Sequence, residues 1–79
     1  MPRYFFHIYN DLVTHDQEGQ ELADADAAVR EAHRGARSLA AEQVLRSARL
    51  VLHHFIEVED SKGAVIAKVT FRDAVAVEE

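Results

Sequence analysis

Val29, Ala32, Ala36, Leu39, Ala40 and Val44 recur at three- and four-residue steps, which lines them along one side of an α-helix. Arg30, Glu31, His33, Arg34, Arg37, Glu42 and Arg46 fall mostly on the other side. The pattern predicts one long amphipathic helix over residues 24–49, with an alanine-rich stripe able to lie close to whatever it covers. Asp24 is the expected N-cap, and Asp26 adds negative charge at the positive end of the helix dipole. Gly35 falls mid-helix, where it costs ~1 kcal/mol relative to alanine. It reads either as a tolerated surface glycine or as a point of close approach to a second backbone.

The segments on either side read as strands. Residues 3–9 (RYFFHIY) are dense in aromatic and β-branched side chains. Alternation places Tyr4, Phe6 and Ile8 on one face and Phe5, His7 and Tyr9 on the other, and neither face looks wet. Asn10-Asp11 suits a hairpin turn into a second strand over 12–15, and residues 16–19 read as a polar turn ending in Gly19. Leu22 is placed to pack back near Ala28 on the first helical turn. After the helix, residues 50–59 and 64–72 read as a second hairpin closed by Asp60-Ser61-Lys62-Gly63. In the last strand Val65, Ala67, Val69 and Phe71 face one way, and Ile66, Lys68, Thr70 and Arg72 the other. Asp73 reads as a bend, and residues 74–77 as a short edge strand or an ordered tail. The expected fold is a single α+β domain over 1–79. It has two layers in ββαββ order, a four-stranded antiparallel sheet with the long helix packed on one face.

Two consequences follow. The helix should span ~35–40 Å, while a strand of six or seven residues spans only ~20–23 Å. The helix end near Leu45, Leu50, Val51 and Leu52 should therefore overhang the sheet. If the helix covers Tyr4, Phe6 and Ile8, then Phe5, His7 and Tyr9 lie on the open face, where Ile66 can join them. An exposed apolar patch of that kind marks a contact surface.

Composition narrows the function. The chain has 79 residues, 48% of them hydrophobic, and no cysteine, so it must rely on packing or on a partner subunit. Fourteen acidic and nine basic side chains give a net charge of −5, which argues against general nucleic-acid binding. No apolar run approaches membrane-spanning length, and the N-terminus lacks the apolar core of a signal peptide, so a cytoplasmic location is expected.

The start Pro2-Arg3-Tyr4-Phe5-Phe6, the pair Glu18-Gly19 and the run Val69-Thr70-Phe71-Arg72-Asp73-Ala74 resemble a family of short bacterial proteins, common in alphaproteobacteria and classed as a domain of unknown function. The resemblance runs over almost the whole chain. It departs at Asp11, where members often carry glycine, which bears on the turn type alone. It implies a bacterial protein and brings no activity, cofactor or catalytic residue. The layout of hairpin then helix, with Ala28-Val29-Arg30-Glu31-Ala32 at the helix start, is also similar to HicB-type antitoxins, although layout does not fix function.

Candidate chemistry is sparse. His53 and His54 are adjacent in an expected strand and point to opposite faces, so they do not chelate one metal. His7, His15 and His33 are dispersed, with no ligand spacing. Arg30, Arg34 and Arg37, with His33, make a basic strip on the exposed helix side. They read as a solvated face or as an anion contact, without the interleaved aromatics of a nucleic-acid platform. No nucleophile–base arrangement, phosphate loop or carboxylate pair is present, so no catalytic, metal or cofactor residue is assigned. The expected function is a non-catalytic interaction module, a homodimer joined through the open sheet face or the helix end, with an unidentified protein as a further partner. The alternative is an antitoxin-like regulator binding a toxin or nucleic acid.

Overall fold

A computed structural model describes residues 1–78. Its elements are β1 (Arg3–Tyr9), β2 (Val13–Thr14), β3 (Gln20–Glu21), α1 (Ala25–Ser47), β4 (Phe55–Glu59), β5 (Val65–Thr70) and α2 (Phe71–Ala74). The sheet is antiparallel in the order β2-β1-β4-β5, and β3 also pairs with β1. The α+β class holds, with the long helix on one face of the sheet.

The helix forms where the pattern places it. Asp24 accepts a hydrogen bond from the Ala27 N–H at 2.8 Å, and Asp26 sits in the first turn. Ala28, Ala32, Ala36 and Ala40 repeat at every fourth residue, and none is more than 2% exposed. Their small side chains bring the helix down onto Tyr4, Ile56, Val58 and Val69, with Phe6, Ile8, Leu22 and Leu39 packed around them. Gly35 is half-buried. A Cβ there would stand 3.3 Å from Ile56 Cδ1, so its neighbour is a core side chain and not a second backbone.

Four details differ from the sequence reading. The β1–β2 connection has three residues, because Tyr9 pairs with Val13 and Asn10 Oδ1 accepts from the Leu12 N–H in an Asx turn. A fifth strand appears at Gln20–Glu21, opposite Arg3 and Tyr4. Residues 50–54 form a loop and not the first half of β4. Two of their carbonyls serve the start of α2 instead: the Phe71 N–H donates to His54 O at 2.8 Å and the Arg72 N–H to Leu52 O at 3.1 Å. Finally, β5 stops at Thr70, which with Asp73 closes a capping box and turns the chain into α2. Phe71 keeps its expected core-facing role and is fully buried, at the end of the strand rather than within it. The following residues 75–78 are neither helix nor strand.

Candidate functional site

β1 carries the expected contact residues, and its edge is unusual. β2 pairs with Ile8 and Tyr9, and β3 with Arg3 and Tyr4. Residues 5–7 are left between them without a strand on that side. Asp16 fills the gap. Its Oδ2 accepts from the Phe6 N–H at 3.1 Å, and its Oδ1 accepts from Glu18 N–H and Gly19 N–H at 3.1 and 3.0 Å. Burial alone would push this carboxyl up, but the N–H groups of Gly19, Phe6 and Glu18, with His7 nearby, hold it below its ordinary value. The Asp16 N–H in turn donates to His7 Nδ1 at 3.0 Å. Residues 15–19 thus form a strap along the edge of β1, with one side chain doing the work of missing strand residues.

The strap changes the surroundings of the expected patch. His7 is 8% exposed, and Phe5 and Tyr9 are half-buried. Gly19 lies against Phe5: a Cβ at Gly19 would stand 2.8 Å from Phe5 Cε1 and 2.9 Å from Tyr4 O. Tyr9 stacks on Phe55 with ring centroids 4.7 Å apart, and Lys68 Nζ sits 4.2 Å from the centre of the Phe55 ring. His15 meets the rings of both His7 and Tyr9 edge-on. Ile66 is 37% exposed and sits at a bulge in β5. β4 separates it from Phe5, with Glu59 opposite Phe5 and Glu57 opposite His7. The structure thus brings Phe5, His7 and Tyr9 together and leaves Ile66 apart from them.

The helix end presents a second surface. The buried stripe runs out at Ala40, and Val44, one step further, is 46% exposed. Further apolar residues gather here: Ala41 and Leu45 lie around the helix from the stripe, Val44 continues it past Ala40, Ala48 is the C-cap, and all four are exposed. Leu45 is 86% exposed and Leu50 37%. Alongside lies a groove of about 360 Å³ lined by Arg37, Ala40, Ala41, Val44, Leu50 and Val75. The C-terminal end of α1 is therefore apolar beyond the part that the sheet covers.

Arg30, Arg34 and Arg37 are all exposed. Arg34 is tied by two hydrogen bonds to Glu31, which raise its pKa and take up its charge locally. Arg37 borders the groove. The three do not converge on one point.

The histidine pair separates as adjacent residues do, with His53 exposed and His54 6% exposed. Gln43 holds the buried ring. Its Oε1 accepts from the Val51 N–H at 3.0 Å, which directs its Nε2 to His54 Nδ1 at 3.4 Å, while His54 Nε2 faces Asp11 Oδ1 at 3.6 Å. Both nitrogens face partners, an arrangement that anchors the 50–54 loop to the helix. Sequence reasoning missed Asp16 and Gln43. The pattern places Asp16 in a polar turn, and nothing in it singles out Gln43. Among the described residues, no group of three or more His, Cys, Asp or Glu side chains is placed to hold a metal ion. No helix among them is long and apolar enough to cross a membrane.

Comparison with known proteins places the chain in a family. Residues 3–72 match the family described as Domain of unknown function (DUF6894), and the chain belongs to it. No curated protein and no solved structure matches.

Proposed function

We propose that this family member is a non-catalytic protein-interaction module that works as a cytoplasmic homodimer, joined through the outer side of the C-terminal half of α1. The observation that carries this reading is the exposed apolar seam at the end of α1, formed by Ala41, Val44, Leu45 and the C-cap Ala48, beyond the point where the sheet covers the helix. Small residues at two of the four positions let a second helix approach closely, and Val44 and Leu45 supply the area to be covered. Arg37 borders the seam and gives it a polar rim.

The test is the mass in solution by sedimentation. The wild-type chain is expected at twice its monomer mass at micromolar concentration, and Leu45→Glu at the monomer mass with its helical spectrum kept. A wild-type protein that stays monomeric at about 100 µM removes the reading.

The sheet face away from the helix supports a second contact for another protein, because the Tyr9–Phe55 stack and, separately, Ile66 remain partly open to solvent. An antitoxin-like role or an anion contact through Arg30, Arg34 and Arg37 has less support, since Arg34 is engaged by Glu31.

A further inference from the structure

The strap over the edge of β1 is closed through an acceptor that a proton removes. His7 Nδ1 accepts the Asp16 N–H at 3.0 Å, so it carries no hydrogen, and the ring's single proton sits on Nε2. That nitrogen faces Glu59 Oε2 at 3.7 Å. The ring is buried, with His15 against its edge. A second proton would place a hydrogen on Nδ1, pointing at the Asp16 N–H. Two donors cannot bond, and the strap's backbone would lose its hold on the ring.

The charged and titratable groups facing His7 come from every side. The strap contributes the Asp16 carboxylate and His15, and β4 contributes Glu59 and, directly across the strand pair, Glu57. Lys68 of β5 stands opposite Glu57. The group that a second ring proton would meet is the Asp16 N–H, 3.0 Å from Nδ1. The Asp16 carboxylate, held by Phe6 N–H on one side, is itself drawn towards the new positive charge.

We propose that residues 15–19 are a proton-operated strap, closed over β1 while His7 is neutral and loosened when the imidazole takes its second proton on mild acidification. Loosening uncovers Phe5, which Gly19 presses against, and Tyr9, which His15 borders. The inference does not depend on the dimer or on the seam of α1.

Nuclear magnetic resonance of the wild-type full chain between about pH 8 and pH 5, the span of ordinary imidazole titration, tests it. Ring nitrogen shifts should show the Nε2–H tautomer of His7 at the upper end. Hydrogen-exchange protection of the Asp16 amide should fall about tenfold, the value of one hydrogen bond, with the same midpoint as the His7 ring. In His7→Asn the amide oxygen takes the place of Nδ1 and does not titrate, so protection should stay flat over this range. His15→Gln should leave the wild-type response in place.

An Nδ1–H tautomer at the upper end, or a His7 that titrates with Asp16 protection unchanged, overturns the proposal. So does a His7 that stays neutral throughout, or a response abolished by His15→Gln. If His7→Asn fails to fold, the wild-type ring and amide measurements decide alone.

Discussion

Asp16 and His7 hold each other by two different parts of one residue. The Asp16 backbone N–H donates to the His7 ring at 3.0 Å, while its carboxylate takes the N–H of Phe6, the residue just before His7. The strap is therefore pinned to β1 at successive residues where no strand pairs, and the pin depends on a charge. Asp16→Ala should cost about 1–3 kcal/mol, because it strips an acceptor from part-buried backbone donors. Denaturant unfolding at neutral pH measures it.

The same carboxylate sets a pH dependence with a definite sign. The folded state holds the Asp16 carboxyl below its ordinary value, and the Thr70 backbone N–H and hydroxyl do the same for Asp73. Groups lowered on folding bind fewer protons in the native state than in the unfolded one. The stability they give is complete above the pH at which unfolded aspartates titrate, and it drains away as pH falls through the lowered folded values. Asp16→Asn should flatten the acid limb of stability against pH. An acid limb identical to that of the wild type would show that the charge at Asp16 contributes nothing.

Gly19 is fixed by two independent constraints. Its φ of +72° lies in the left-handed region, and a Cβ would stand 2.9 Å from Tyr4 O, a backbone atom that cannot swing aside. Gly19→Ala should therefore destabilise by about 3 kcal/mol, combining left-handed strain with overpacking. Gly63 has a similar φ of +84° and open space around it. Gly63→Ala should cost only the backbone term, about 1 kcal/mol. A thermal scan of both variants gives the ratio directly, and equal losses would mean that the Phe5 contact is not tight.

These sites also show what the sequence made legible. The helix is readable because its period is local: Asp24 and the stripe from Val29 to Val44 announce cap and face without knowledge of the partner, although the buried line runs through Ala28, Ala32, Ala36 and Ala40 and leaves Val44 exposed. The two faces of β1 were readable for the same reason. What escaped were features set by long-range partners. Residues 50–54 have strand-like composition, but two of their carbonyls are claimed by Phe71 and Arg72, from an element that follows β5. The start of α2 did leave a local signal, Thr70 with Asp73 three residues on, which a strand pattern ending in Phe71 obscured. Asp16 left none, because its role exists only beside a gap between β2 and β3 that no periodicity reports. The second face of β1 was read as apolar and open. It is apolar, but the strap and the Phe55 stack already cover part of it.

Ala48 ends α1 at φ 57°, the left-handed conformation that glycine adopts without penalty, and its N–H caps Val44 O at 2.8 Å. Alanine there carries strain of about 1 kcal/mol that glycine would not, partly offset by the greater freedom of glycine in the unfolded chain. Ala48→Gly should raise stability by about 0.5–1 kcal/mol. Calorimetry should show a higher Tm with unchanged helix content. A lower Tm would mean that the Ala48 methyl is covered in solution, as it would be within the proposed seam, and repeating the scan on Leu45→Glu separates the two effects.

Gln43 ties the 50–54 loop to the helix through a single amide. Its oxygen accepts from the Val51 N–H at 3.0 Å, and its nitrogen faces His54 Nδ1 at 3.4 Å. Gln43→Ala removes both contacts and leaves a part-buried backbone donor without its acceptor, so it should cost about 1–3 kcal/mol. Gln43→Glu keeps an oxygen for the Val51 N–H and should lose less. Urea unfolding of both variants at neutral pH separates the two contacts, and a Gln43→Ala chain as stable as the wild type would show that the loop is not held by Gln43 in solution.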